Sequence, residues 1–184
     1  IVGLLLFLGV HSVRIVAEDF RTAQIARRGA NAWKRLVSLA SIVGFVLIVW
    51  GYGLARQQPM VLWPTPTWLR HLAAPLTLVA FILVAAAYVP ANGIKARLRH
   101  PMVLGVKVWA LAHLAANNTL ADLLLFGSFL AWAVLSYRAA RARDRATGAA
   151  AAPASASRTL VAVVVGSAAW AGFMASYIFA SLAA

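Results

Sequence analysis

The sequence predicts an all-α fold, a polytopic membrane bundle of about six transmembrane helices. Three observations predict it. The chain has 184 residues, of which 63% are hydrophobic, and its mean hydropathy is +0.83. Its apolar stretches recur at roughly the 20-residue length that crosses a bilayer. The cationic residues gather between those stretches rather than inside them.

The first apolar run, 1–19, begins without a basic lead or a small-residue cleavage site, so it reads as a span rather than a removable signal. The following runs fall at 36–55, 69–89, 101–116, 119–138 and 158–182. Between the second and third, "RQQPMVLWPTPTWLR" places Trp63 and Trp68 among prolines, as an interfacial aromatic belt requires. "NNTLAD" supplies a turn in which Thr119 and Asp122 have the spacing of a capping box. The last run is rich in Gly, Ala and Ser, which let helices approach closely. The whole chain, 1–184, is read as one transmembrane domain, with an Ala/Ser-rich linker at 139–157 and a terminal helix at 158–182.

Charge sets the expected orientation. The first loop carries Arg21, Arg27, Arg28, Lys34 and Arg35, the third Lys95, Arg97 and Arg99, and the fifth Arg138, Arg141, Arg143, Arg145 and Arg158. The even loops hold only Arg56 and Arg70, so the positive-inside rule puts both termini on the non-cytoplasmic side. A net charge of +13 suggests nucleic acid in a soluble protein, but here topology accounts for it and no nucleic acid is expected. With no cysteine there is no disulfide, thiolate ligand or covalently attached haem.

A few polar residues remain inside the apolar runs, where a charge costs about 2.5–3.5 kcal/mol or more. These are His11, Arg14, Lys107 and His113. Counting about 1.5 Å per residue from the cytoplasmic ends puts His11 and His113 at similar depths, roughly 15 and 18 Å, with Arg14 and Lys107 nearer the surface. Imidazole is a common axial ligand of haem iron, and haem propionates need cations or donors. The expected constellation is therefore haem b with His11 and His113 as the iron ligands and Arg14 near a propionate. Trp109, His113 and Asn117 follow at steps of four, so Trp109 can pack on the macrocycle, and Asn117 can orient the imidazole or cap the helix. Lys107 snorkels. The blander alternative is that the histidines only cross-link helices in a cofactor-free accessory subunit. His71 is expected in water at the outer interface, and His100, before Pro101, is expected to cap a helix.

Three stretches, "GLLLFLGVHSVR" (3–14), "RHPMVLGVKVWALAHLAANN" (99–118) and "LLLFGSFLAW" (123–132), resemble the NnrU family over about residues 1–138. The resemblance implies a bacterial inner-membrane protein linked to nitric oxide metabolism in denitrifiers. It further implies kinship with zeta-carotene isomerase, a membrane haem b enzyme whose haem ligands correspond to His11 and His113. The isomerase has a cysteine three residues before the second histidine, where this chain has Ala110. Implied partners are the lipid bilayer, a small gas ligand or an apolar polyene, and a membrane redox partner. "RHPMVLG" also resembles a segment of membrane methyltransferases, but those need later acidic residues, and only Asp122 and Asp144 follow.

Overall fold

A segment inside lipid has no water to satisfy its backbone, so long apolar runs fold as helices. The computed structural model describes residues 1–148 and 153–182. Among these residues the chain is all-helical, as predicted. The elements are α1 (Val2–Val16), α2 (Glu18–Arg28), α3 (Ala30–Ala55), α4 (Thr67–Tyr88), α5 (Gly93–Leu98), α6 (Pro101–Ala116), α7 (Leu120–Ala146) and α8 (Ala156–Leu182). Four of them, α3, α4, α7 and α8, are long and apolar enough to cross a membrane. Helices α1 and α6 are apolar but have only 15 and 16 residues.

The structure departs from the sequence reading at the edges of the apolar runs. The cationic first loop folds as α2, with Glu18 and Asp19 at its start and Arg27 and Arg28 at its end, the arrangement a helix dipole favours. Ala17, at φ −145° and ψ 49°, breaks the chain between α1 and α2. The third loop contains α5, whose cap is Asn92. Helix α7 continues to Ala146, because charged residues end a membrane span without ending a helix of Ala and Arg. The linker expected at 139–157 is therefore helical through Ala146 and again from Ala156, and its residues 149–152 lie outside the described residues.

The chain folds as two compact units, Ile1–Pro64 with Asn118–Ser136, and Thr65–Asn117 with Tyr137–Ala184. In the first unit α1 and α3 run antiparallel in close contact. A methyl group added at Gly3 would lie 2.6 Å from the Ile48 nitrogen, and one at Gly44 would lie 2.9 Å from the Phe7 nitrogen. Without a hydrophobic drive between helices in lipid, such backbone approach supplies the association energy. The segment before Pro64 pairs with the start of α7: Leu62 N donates to Asn118 O at 2.8 Å and Leu120 N to Met60 O at 2.9 Å.

In the second unit α4 packs against α6 and α8. Gly105 of α6 meets Ala80 O and Val84 of α4, and Gly166 of α8 meets the Ile82 backbone. Trp170 Nε1 donates to Thr77 Oγ1 at 3.1 Å, joining α8 to α4. Asn92 is wholly buried; its amide donates to Ala86 O and Val89 O, and its Oδ1 accepts from Lys95 N. Next to it Gly93 N donates to Thr159 Oγ1 at 2.7 Å, which ties α5 to α8.

Candidate functional site

His11 sits in α1 four residues after Phe7, and its Nδ1 lies 2.7 Å from the Phe7 carbonyl oxygen. A carbonyl can only accept, so Nδ1 carries the hydrogen, and in a neutral ring with that tautomer the lone pair lies on Nε2. Fixing one ring nitrogen on a backbone carbonyl is how proteins orient an imidazole that binds a metal. The Phe7 ring stacks on the imidazole at 4.4 Å and 27°. Trp132, from α7 within the same unit, stands edge-on to it at 6.1 Å and 89°. The Trp132 Nε1 is buried with no hydrogen-bond partner among the described residues. A buried donor left unpaired costs about 1–3 kcal/mol, so this indole is available to an acceptor from beyond the described residues.

In the other unit His113 occupies the last turn of α6, half-buried, with the Trp109 ring 5.2 Å away at 72°. Asn117 has left the helix, at φ −119° and ψ 157°, so the spacing of four does not extend to it. Its Nδ2 donates to the His113 main-chain oxygen at 2.9 Å, the capping role the sequence allowed it. Ala110 is wholly buried in α6. Phe81, Val84, Gly105, Val106 and Trp109, with Ala80, line an apolar groove of about 250 Å³.

Arg14 is exposed in the last turn of α1. Glu18, one turn further on, pairs with Arg21 at 2.8 Å. The break at Ala17 also shortens the yardstick used for depth. Only the stretch from His11 to Val16 is continuous α1, roughly 8 Å of rise, whereas Pro101 to His113 is unbroken helix of roughly 18 Å. The equal depths counted through to Arg21 therefore do not carry the pairing of the two histidines.

The expected cap on α7 is present and does more than cap. Asp122 Oδ2 accepts from Thr119 N at 3.0 Å and Thr119 Oγ1 at 2.6 Å, while Asp122 N donates to Thr119 Oγ1. Its Oδ1 accepts the Tyr52 hydroxyl at 2.5 Å, a contact sequence reasoning missed across 70 residues. His100 precedes Pro101 as expected but makes no cap bond. Its Nε2 instead donates to Asp144 at 3.0 Å, where Arg141 and Arg99 also converge at 3.3 and 3.8 Å. Both late carboxylates are thus engaged in structure, which removes the acidic residues the methyltransferase resemblance needs.

Among the described residues no group of three or more His, Asp or Glu side chains converges. Zinc and non-haem iron need such a set, whereas a porphyrin brings four nitrogens and asks the protein only for axial ligands. A tautomer-fixed histidine between aromatic rings, beside an unpaired indole donor, fits that lesser demand.

Apolar helices of membrane-crossing length, with their cations beyond the apolar runs and small residues at their crossings, define a polytopic helical membrane protein. The chain belongs to the NnrU protein family, whose model matches residues 1–180. The match extends into α8, beyond the 1–138 over which the sequence resemblance runs. Neither a curated protein nor a solved structure matches the chain.

Proposed function

We propose that this NnrU protein is a haem b protein of the bacterial inner membrane, with His11 and His113 as axial ligands and a role in nitric oxide-linked redox chemistry. The observation that carries the reading is the Nδ1–Phe7 hydrogen bond, which presents the Nε2 lone pair of His11 among aromatic side chains. His113 enters through the motif it shares with Trp109 and through their ring contact. Phe7 and Trp132 shield one ligand from water, and the Trp132 N–H and the Arg14 guanidinium are donors suited to a propionate. When bound, the haem would supply a redox-active iron, and a small gas would bind it only in exchange for one of the two histidines. Within this reading α1 and α6 complete six spans, both termini lie outside the cytoplasm, and the partner would be a membrane redox protein.

A second reading, isomerisation of an apolar polyene, draws on the groove beside Trp109, whose walls are almost wholly apolar. The test is an absorption spectrum of the protein purified from haem-replete cells, oxidised and reduced. A Soret band lost or shifted in both His11→Ala and His113→Ala is expected. No Soret band in the parent protein refutes haem binding, and a spectrum unchanged in either variant refutes that ligand. Adding nitric oxide to the ferrous protein should shift the band. Conversion of a cis-carotene in reconstituted membranes would instead favour the polyene reading.

A further inference from the structure

Topology asks only that a cytoplasmic segment be cationic, and the C-terminal turns of α7 are more particular than that. With 27 residues α7 is roughly 40 Å long. The hydrocarbon core takes about 30 Å of this. Counted from Leu120, the helix leaves the hydrocarbon near Ala139, so Arg138, Arg141 and Arg145 lie between that edge and roughly 8 Å beyond it. This is the layer of lipid headgroups.

Steps of 100° place these three arginines within an arc of roughly 60°, with Tyr137 beside it and Arg143 on another side. Tyr137, Arg138, Arg141 and Arg145 line one shallow groove. Arg138 and Arg145 are exposed, and among the described residues neither pairs with a carboxylate. The one acid nearby, Asp144, is already taken by His100, Arg99 and Arg141, and its hold on Arg141 fixes the middle of the row.

We propose that this face of α7 binds the phosphate of an anionic glycerophospholipid. Guanidinium groups bind phosphate oxygens in pairs of parallel hydrogen bonds, which the spherical charge of lysine does not. A tyrosine at the same level is at home in the interface. The site depends on α7 spanning the bilayer and is independent of haem.

The full chain, purified in detergent, is titrated with phosphatidylglycerol or phosphatidylcholine and read by native mass spectrometry. The parent protein should retain phosphatidylglycerol over phosphatidylcholine. The pair Arg138→Gln and Arg145→Gln should weaken phosphatidylglycerol about thirtyfold, as expected for two interfacial cations. Arg27→Gln with Arg28→Gln, on exposed α2, should change it little. Helical content by circular dichroism should be unchanged in both. Absence of a preference in the parent, equal retention by the α7 pair, or equal loss in the α2 pair would each overturn the proposal. So would displacement of the lipid by inorganic phosphate at the same concentration, which would define a free-phosphate site.

Discussion

Replacing Gly166 by alanine tests how α8 is held to α4. The added methyl would lie 2.5 Å from Ile82 Cα, 2.8 Å from Ile82 N and 3.0 Å from Phe81 O. All three are backbone atoms, so no rotamer relieves the clash, and the helices must part by about 0.9 Å to reach ordinary contact at 3.4 Å. A gap of that size forfeits roughly a quarter to a half of each dispersion well along the crossing. Overpacking costs about 1–3 kcal/mol, and the high end applies where backbone meets backbone. Alanine returns about 0.8–1.0 kcal/mol of helix propensity, leaving a net loss of about 1–2 kcal/mol. Gly172, in the same helix with nothing within 4 Å, is the internal control. Alanine there should be neutral or stabilising by up to about 1 kcal/mol. Reversible unfolding in mixed micelles, followed by far-ultraviolet circular dichroism, measures both. If the two variants unfold within about 0.5 kcal/mol of each other, the close crossing does not exist as described, since propensity acts on both alike.

Other outcomes follow from the same contacts. Asp122→Asn should lose about 2–3 kcal/mol, because an amide cannot accept from Tyr52 and Thr119 at both atoms; a cycle with Tyr52→Phe should show coupling above 1 kcal/mol. Asn92→Ala should cost about 2–4 kcal/mol in the same unfolding assay, leaving the carbonyls of Ala86 and Val89 and the N–H of Lys95 unpaired. On the proposed haem reading, Trp132→Phe should leave the haem-free protein as stable or about 1 kcal/mol more so, yet weaken haem retention in a transfer assay with apomyoglobin; unaltered retention would remove Trp132 from the site. Trp170→Phe should cost only about 0.6 kcal/mol, the usual worth of one hydrogen bond between membrane helices.

The sequence signals that succeeded were local. Apolar length located the six apolar helices, Pro101 marked the start of α6, and the Thr119–Asp122 spacing foretold a cap that is present. Helix α2 was missed because hydropathy answers where lipid is, not where helix is. Its acidic start and basic end, "EDFRTAQIARR", were the available signal. Helix α5 carried a comparable one in Asn92 before "GIKARL". Trp132 beside His11 and Tyr52 beside Asp122 left no periodic trace. Contacts between distant segments depend on which faces meet, and a single apolar run does not specify that. The end of α1 at Ala17 was illegible for a related reason, since no residue there is a recognised helix breaker.

The bond between Tyr52 and Asp122 also bears on the order in which the first unit can be completed. Synthesis delivers α3 well before α7, so the Tyr52 hydroxyl lacks this acceptor until Asp122 emerges 70 residues later. Asp122 arrives with Thr119 already beside it, so the start of α7 closes its own polar groups as it forms. The bond that joins α3 to the start of α7 is thus the one that cannot form until both segments exist, and a chain ending before residue 122 would leave the Tyr52 hydroxyl without its native acceptor.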